Sequence, residues 1–143
     1  MNNTRLLAAL AVFTCTLGSA ALAHHSAQAY YQMDKRVEMT GKVTEFRMGN
    51  PNARIYFDVK NADGSTTQWL AEGGSRTVLL RTGWKGDEVK VGDVVKVQGN
   101  PSRDDKKIVH MINVILPDGR SLYAEDTNPE GVNELLERRR KRN

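Results

Sequence analysis

Apolar and polar side chains alternate in five segments of the chain. A period of two residues predicts β-strands with one buried face. The second segment shows it most clearly, with Ile55, Phe57 and Val59 at inward positions and Arg54 and Tyr56 among the outward ones. The predicted strands are residues 37–48, 53–60, 66–72, 93–99 and 107–116.

The first predicted strand changes phase part-way along its length. Met39 and Val43 share one face, whereas Phe46 and Met48 carry the apolar positions after a slip of one residue. Such a slip inside a long strand predicts a β-bulge. Gly41 lies close to it and permits a tight bend. We therefore expect one long, bent strand.

A short helix is predicted between the third and fourth strands. Ser75 can cap its N-terminus, Leu79 contributes to its apolar face, and Gly83 can end it. Three strands, a helix and two strands, with the first strand long and bent, is the order of an OB-fold. The sequence thus predicts an all-β fold with minor α structure, a five-stranded OB-like Greek-key barrel over residues 37–120.

The first residues have the pattern of a secretory signal peptide. Arg5 precedes an apolar run that starts at Leu6, and the small residues around Ala23 resemble a cleavage site. The run is shorter than the roughly 20 apolar residues that a transmembrane helix needs. We predict that residues 1–23 are removed, that the protein is periplasmic, and that residues 24–36 form an N-terminal arm.

The only cysteine, Cys15, lies within the predicted signal peptide. Its removal would leave a chain without disulfides, thiol nucleophiles or thiolate metal ligands. Lipid attachment at Cys15 is the alternative, but Val12 and Phe13 match the small-residue pattern of lipoprotein signals poorly.

Positive charge is concentrated at the C-terminus. The chain has 21 Lys and Arg against 17 Asp and Glu, but five of the basic residues lie at positions 138–142. Without these and Arg5, residues 24–137 carry a formal net charge of about −2. Because nucleic-acid recognition requires a basic patch on the domain itself, we predict no nucleic-acid partner.

Residues 121–143 are predicted to be a linker and a basic C-terminal helix. Residues 121–127 are polar, Asn128 and Pro129 are typical of a helix start, and Leu135 belongs to a narrow apolar stripe. The stripe and the basic run could contact anionic lipid weakly, but a solvated helix is the favoured interpretation.

Seven short segments between residues 24 and 123 form a recognisable series. They are His24-His25-Ser26, Thr40-Gly41-Lys42-Val43, Asn50-Pro51, Tyr56-Phe57-Asp58-Val59, Gly83-Trp84, Val91-Gly92-Asp93-Val94-Val95 and Leu116-Pro117-Asp118-Gly119-Arg120. In their order and spacing, the chain resembles a family of small exported bacterial proteins of unknown function, which open with His-His-Ser after the signal peptide. The family implies no activity. Its members usually have a histidine where this chain has Asn52.

The predicted mature N-terminus is a candidate copper site. Cleavage after Ala23 would place a free α-amine on His24, with His25 beside it. Amine and imidazole nitrogens can both lose a proton to a metal near neutral pH, and such ligands favour Cu(II) among divalent first-row ions. His110 is the only other histidine available to complete the site. A flexible terminus without a metal is the alternative.

Catalysis has little support in the sequence. With no mature cysteine and two of its three histidines at the terminus, the chain cannot readily assemble a nucleophile, a base and an orienting group. We therefore predict a non-enzymatic binding module whose ligand is a small solute, an envelope glycan or a protein. OB barrels bind ligands across strands two and three, where Arg54 and Tyr56 point outward and form the candidate ligand site.

Overall fold

The computed structural model describes residues 27–125. A boundary after Tyr30 separates two units, and all strands and the helix named here belong to the second. No helix within the described residues is long and apolar enough to span a membrane. The elements are β1 (Val37–Arg47), β2 (Arg54–Lys60), β3 (Thr66–Glu72), α1 (Arg76–Arg81), β4 (Val94–Pro101), β5 (Ile108–Ile115) and β6 (Ser121–Tyr123).

The strands form one sheet that closes on itself. Its order is β3-β2-β1-β4-β5-β6, and β3 also pairs with β5, which closes a barrel of the first five strands. All neighbouring pairs are antiparallel except β3 and β5, which run parallel. The predicted five-stranded OB-like barrel with a short helix is confirmed.

The bend in β1 allows it to pair with two strands. Its first half pairs with β4 and its second half with β2, and the register shifts between Val43 and Glu45, which confirms the predicted bulge. Gly41 allows a close approach of β2. A Cβ at this position would lie 2.7 Å from the carbonyl oxygen of Asp58 and 2.7 Å from Cδ2 of Phe57. Any side chain here would push β1 away from β2.

The helix α1 begins and ends as its sequence predicts. Ser75 is the N-cap, and its hydroxyl accepts a hydrogen bond from the backbone N–H of Val78 at 3.4 Å. Gly83 follows the C-cap with φ of 100°, a conformation that glycine adopts without strain. Leu79 is fully buried, whereas Leu80 is 46% exposed. One leucine therefore anchors the helix in the core.

The core fills the barrel and extends under α1. Phe57, Ile55 and Trp84 are among its largest buried side chains. The alternation of the second strand predicts the burial of Ile55 and Phe57, whereas Trp84 lies in the loop after α1. Trp69 packs against the core partly buried. The other fully buried or nearly buried apolar residues are Val43, Ala53, Ala71, Leu79, Val89, Val95, Val97, Val109, Met111, Val114, Leu116 and Ala124.

The strand β6 was not anticipated from the sequence, which predicted a loose connection from residue 121 onward. Its residues pair with β5, with Tyr123 opposite Asn113. The carbonyl oxygen of Tyr123 accepts hydrogen bonds from Trp84 Nε1 at 2.7 Å and from the Thr82 hydroxyl at 2.8 Å. Three residues are too few to show a period of two. The predicted signal peptide, His24, His25 and the C-terminal helix lie outside the described residues.

Candidate functional site

Two rows of side chains cross the outside of the barrel where β3 and β5 meet. The pairing places Arg54 opposite Glu72 and Tyr56 opposite Leu70. The parallel pairing continues each row onto β5. Registered partners point to the same side of a sheet, and these residues alternate with the inward core positions. We call this surface the three-strand face, with a polar row of Arg54, Glu72 and His110 and an apolar row of Tyr56, Leu70 and Ile108.

Glu72 is the central acceptor of the polar row. Arg54 Nε donates to its Oε1 at 3.0 Å, and the Tyr31 hydroxyl donates to its Oε2 at 2.8 Å. The Arg54 side chain is 43% exposed and that of Glu72 is 18% exposed. The arginine therefore remains accessible from solvent while its partner is fixed from two sides.

His110 continues the row on β5 and is held from two directions. Its Nε2 is hydrogen-bonded to Oε1 of Glu125, and its ring centroid lies 5.2 Å from that of Tyr31. The hydrogen bond from His110 holds the pKa of Glu125 below its ordinary value. The His110 side chain is only 14% exposed. Its position is thus set by Glu125 and Tyr31.

Tyr31 connects the two parts of the row. Burial raises the pKa of its phenol, and the Glu72 carboxylate raises the pKa further by accepting its hydrogen bond and by its negative charge. The hydroxyl therefore stays protonated at neutral pH and acts as a donor. The contact between the Tyr31 ring and His110 gives the phenol a second role, in packing.

The chain after Tyr31 is attached to the end of β4. Tyr31 forms an isolated bridge with Ser102, and the backbone N–H of Gln32 donates to the carbonyl oxygen of Pro101 at 2.9 Å. Nδ2 of Asn100 donates to the carbonyl oxygen of Lys35 at 2.6 Å. Asn100 is opposite His110 in the β4–β5 register. These bonds fix the segment that carries Tyr31 beside the polar row.

The apolar row is half-buried along its whole length. Tyr56, Leu70 and Ile108 lie in register on three adjacent strands. On the β1 side the row ends at Glu45, which is opposite Tyr56 and forms an ion pair with Arg47. The face thus combines an apolar strip with hydrogen-bonding groups along one side.

The sequence profile of a family of unknown function, DUF6152, matches residues 12–110, which is more than half of the chain. The chain belongs to this family. All six residues of the three-strand face lie inside the matched DUF6152 region, whereas Glu125 lies beyond it. No curated protein matches the chain.

The two ligand residues predicted from the sequence of this DUF6152 chain lie together. Arg54 and Tyr56 point outward from β2, and the barrel brings His110 to the same face, which sequence reasoning did not anticipate. Sequence reasoning also missed Glu72 and Tyr31. The hairpin between β2 and β3 offered a signal for Glu72, because a fixed register places it opposite Arg54.

Of the three candidate metal ligands, His110 alone lies in the described part of this DUF6152 chain. Across residues 27–125, no group of three or more His, Cys, Asp and Glu side chains could hold a metal ion. Nε2 of His110 is already bonded to Glu125, so a metal at that nitrogen would have to displace a carboxylate. His24 and His25 lie outside the described residues.

Proposed function

We propose that the protein is a non-enzymatic binding module of the periplasm and that its ligand binds to the three-strand face. The observation that carries the proposal is the register of the two rows. It places an accessible arginine, an aromatic ring and further apolar side chains on one side of the barrel. OB barrels use the corresponding face of strands two and three to bind oligomeric ligands.

The chemistry of the polar row supports binding more than catalysis. A general base acts on a nucleophile within hydrogen-bonding reach. Glu72 accepts its hydrogen bonds from Tyr31 and Arg54, and a guanidinium is not a nucleophile. The neighbouring phenol of Tyr31 has a raised pKa, which makes it a poor nucleophile at neutral pH. The periplasmic location rests on the signal peptide predicted from residues 1–23.

Amide correlation spectra of isotopically labelled protein test the proposed site. We expect fractions of an envelope extract to shift signals of the three-strand face, and Arg54→Ala and Tyr56→Ala each to reduce these shifts. Lys60→Ala is the matched control, because Lys60 is exposed on the same side of β2 but at its other end. Shifts that lie elsewhere on the barrel, or that both face variants retain, would contradict the proposal.

Copper binding at the mature N-terminus is the alternative function. It rests on His24 and His25, which follow the predicted cleavage site. We expect His25→Ala, or one extra residue before His24, to abolish tight Cu(II) binding at substoichiometric metal. A loss of affinity in His110→Gln as well would show that His110 takes part through Nδ1, because its Nε2 is bonded to Glu125. Intact-mass analysis of exported protein purified without a chelator would locate the mature terminus and detect retained copper. Tight binding that survives both terminal changes would exclude this alternative.

A further inference from the structure

The charged side chains of the three-strand face have partners within the fold. Arg54 forms an ion pair with Glu72, and the Glu125 carboxylate is hydrogen-bonded to His110. Arg47, which lies opposite Arg54 on β1, is paired with Glu45. An anionic ligand that approaches Arg54 would also approach the Glu72 carboxylate, and a cationic ligand that approaches Glu72 would meet the arginine. The Arg54–Glu72 pair therefore favours neither an anionic nor a cationic ligand.

The same pair provides hydrogen-bonding groups for a neutral ligand. A guanidinium has five N–H donors, and the bond from Arg54 to Glu72 uses the one on Nε. An arginine donor and a carboxylate acceptor thus lie next to each other at the surface. A hydroxyl group both donates and accepts through one oxygen, so adjacent hydroxyls can bond to both partners at once.

The apolar row provides the second half of a sugar-binding surface. Tyr56, Leu70 and Ile108 lie on three adjacent strands, so the apolar row is about 10 Å long. The polar row is displaced from the apolar row by two residues along each strand, which separates the two rows by about 7 Å. A sugar ring has C–H faces that pack on an aromatic ring and hydroxyls around its edge. The two rows match these two kinds of surface.

We propose that the ligand of the three-strand face is a neutral oligosaccharide. A sugar ring packs on Tyr56 and the apolar row, and its hydroxyls bond to the Arg54–Glu72 pair. The proposal rests on the proposed function, since it assumes that this face is the binding site. It adds the class of ligand and predicts that binding does not depend on charge.

Titrations with oligosaccharides of matched length and different charge test the proposal. The neutral probes are maltohexaose, mannohexaose and chitohexaose, the anionic probe is hexagalacturonate, and the cationic probe is the fully deacetylated glucosamine hexamer. Amide spectra report where each probe binds. We expect a neutral probe to shift signals of the face, with an affinity that changes less than about twofold between about 50 mM and about 500 mM NaCl, because salt screens only charge interactions.

Three variants of the face and one control variant sharpen the test. Arg54→Ala and Tyr56→Ala should each weaken binding of the neutral probe about tenfold, the effect of losing one strong hydrogen bond or one stacked ring. The double variant Arg54→Gln with Glu72→Gln keeps polar side chains at both positions but removes both charges. Its affinity for the neutral probe should stay within about threefold of the wild-type value, whereas its affinity for a ligand held by ionic contacts would fall much further. Lys60→Ala should have no effect, and circular dichroism confirms that each variant is folded.

Each outcome decides between the two proposals. Binding of a neutral probe at the face, insensitive to salt, supports both. Binding at the face of only a charged probe, with strong salt dependence, overturns the neutral oligosaccharide and leaves the binding face. If the envelope extract shifts the face but every oligosaccharide fails, the ligand class is again wrong. If neither the extract nor any probe shifts the face, both proposals are wrong.

Discussion

The hydrogen bond from Tyr31 to Glu72 should stabilise the folded protein measurably. Tyr31→Phe removes only the hydroxyl and keeps the ring that contacts His110. A hydrogen bond to a charged group contributes about 1.5–3 kcal/mol. Because both side chains are only partly buried, we expect the lower end, a loss of about 1.5 kcal/mol in the free energy of unfolding. Glu72→Ala should lower the free energy of unfolding by about 1 kcal/mol more at most, since it also breaks the partly exposed ion pair with Arg54.

Urea unfolding followed by circular dichroism measures these losses. A double-mutant cycle of Tyr31→Phe and Glu72→Ala isolates the pair, and we expect a coupling energy of about 1 kcal/mol or more. Tyr30→Phe is the control, because Tyr30 is 68% exposed and its hydroxyl should contribute almost nothing. A coupling energy below about 0.3 kcal/mol, the usual error of additivity, would refute the reasoning.

The same contact predicts a dependence on alkaline pH. The pKa of Tyr31 is raised in the folded protein, so the folded state favours the neutral phenol. The stabilisation is complete below the ordinary phenol pKa of about 10 and is lost as the pH rises through the raised folded value. The difference in the free energy of unfolding between wild type and Tyr31→Phe should therefore shrink above a pH of about 10. If the two free energies instead stay a constant distance apart at higher pH, the hydrogen-bonded phenol of Tyr31 is not the cause.

Three further predictions concern the barrel and its acidic edge. Gly41→Ala should destabilise the protein by about 1–3 kcal/mol, because the new Cβ meets backbone of β2, whereas Gly49→Ala, with open space around it, should stay within about 0.5 kcal/mol in urea unfolding. Leu79→Ala should cost about 2–5 kcal/mol and Leu80→Ala less than about 0.5 kcal/mol in the same assay. The pKa of Glu125 is lowered in the folded protein, so the stability that its carboxylate contributes is complete above about pH 4.3 and is lost as the pH falls through the lowered pKa. In thermal melts across this range, the melting temperature of Glu125→Gln should fall less steeply with decreasing pH than that of the wild type.

The barrel could be predicted because its strands carry their own pattern. Each strand has one buried face, so a period of two and one slip near Gly41 were enough to locate β1 and its bulge. The helix was predictable because Ser75 and Gly83 act locally at its ends. The order of these elements then suggested the OB-like closure. These signals all act between residues that are close in the chain.

The partners in the polar row could not be predicted in the same way. Tyr31 reaches Glu72 across 41 positions of the chain, and no local pattern marks a tyrosine before the first strand as its donor. Glu125 lies in a polar segment that follows β6, a strand too short to show alternation. Such contacts depend on the tertiary arrangement of the chain and not on periodicity. Residues on a single regular strand, such as Arg54 and Tyr56, were therefore within reach of sequence reasoning.

The three-strand face depends directly on how the barrel closes. Arg54 and Glu72 are neighbours in a hairpin, but His110 joins them only because β5 pairs in parallel with the end of β3. In a strand, a shift of one residue moves every side chain to the other side of the sheet. A shift of β5 by one residue would turn His110 into the core and bring Val109 or Met111 to the outside. Core packing at the closure therefore also sets the polar row in register, so the residues that stabilise the fold position the candidate site.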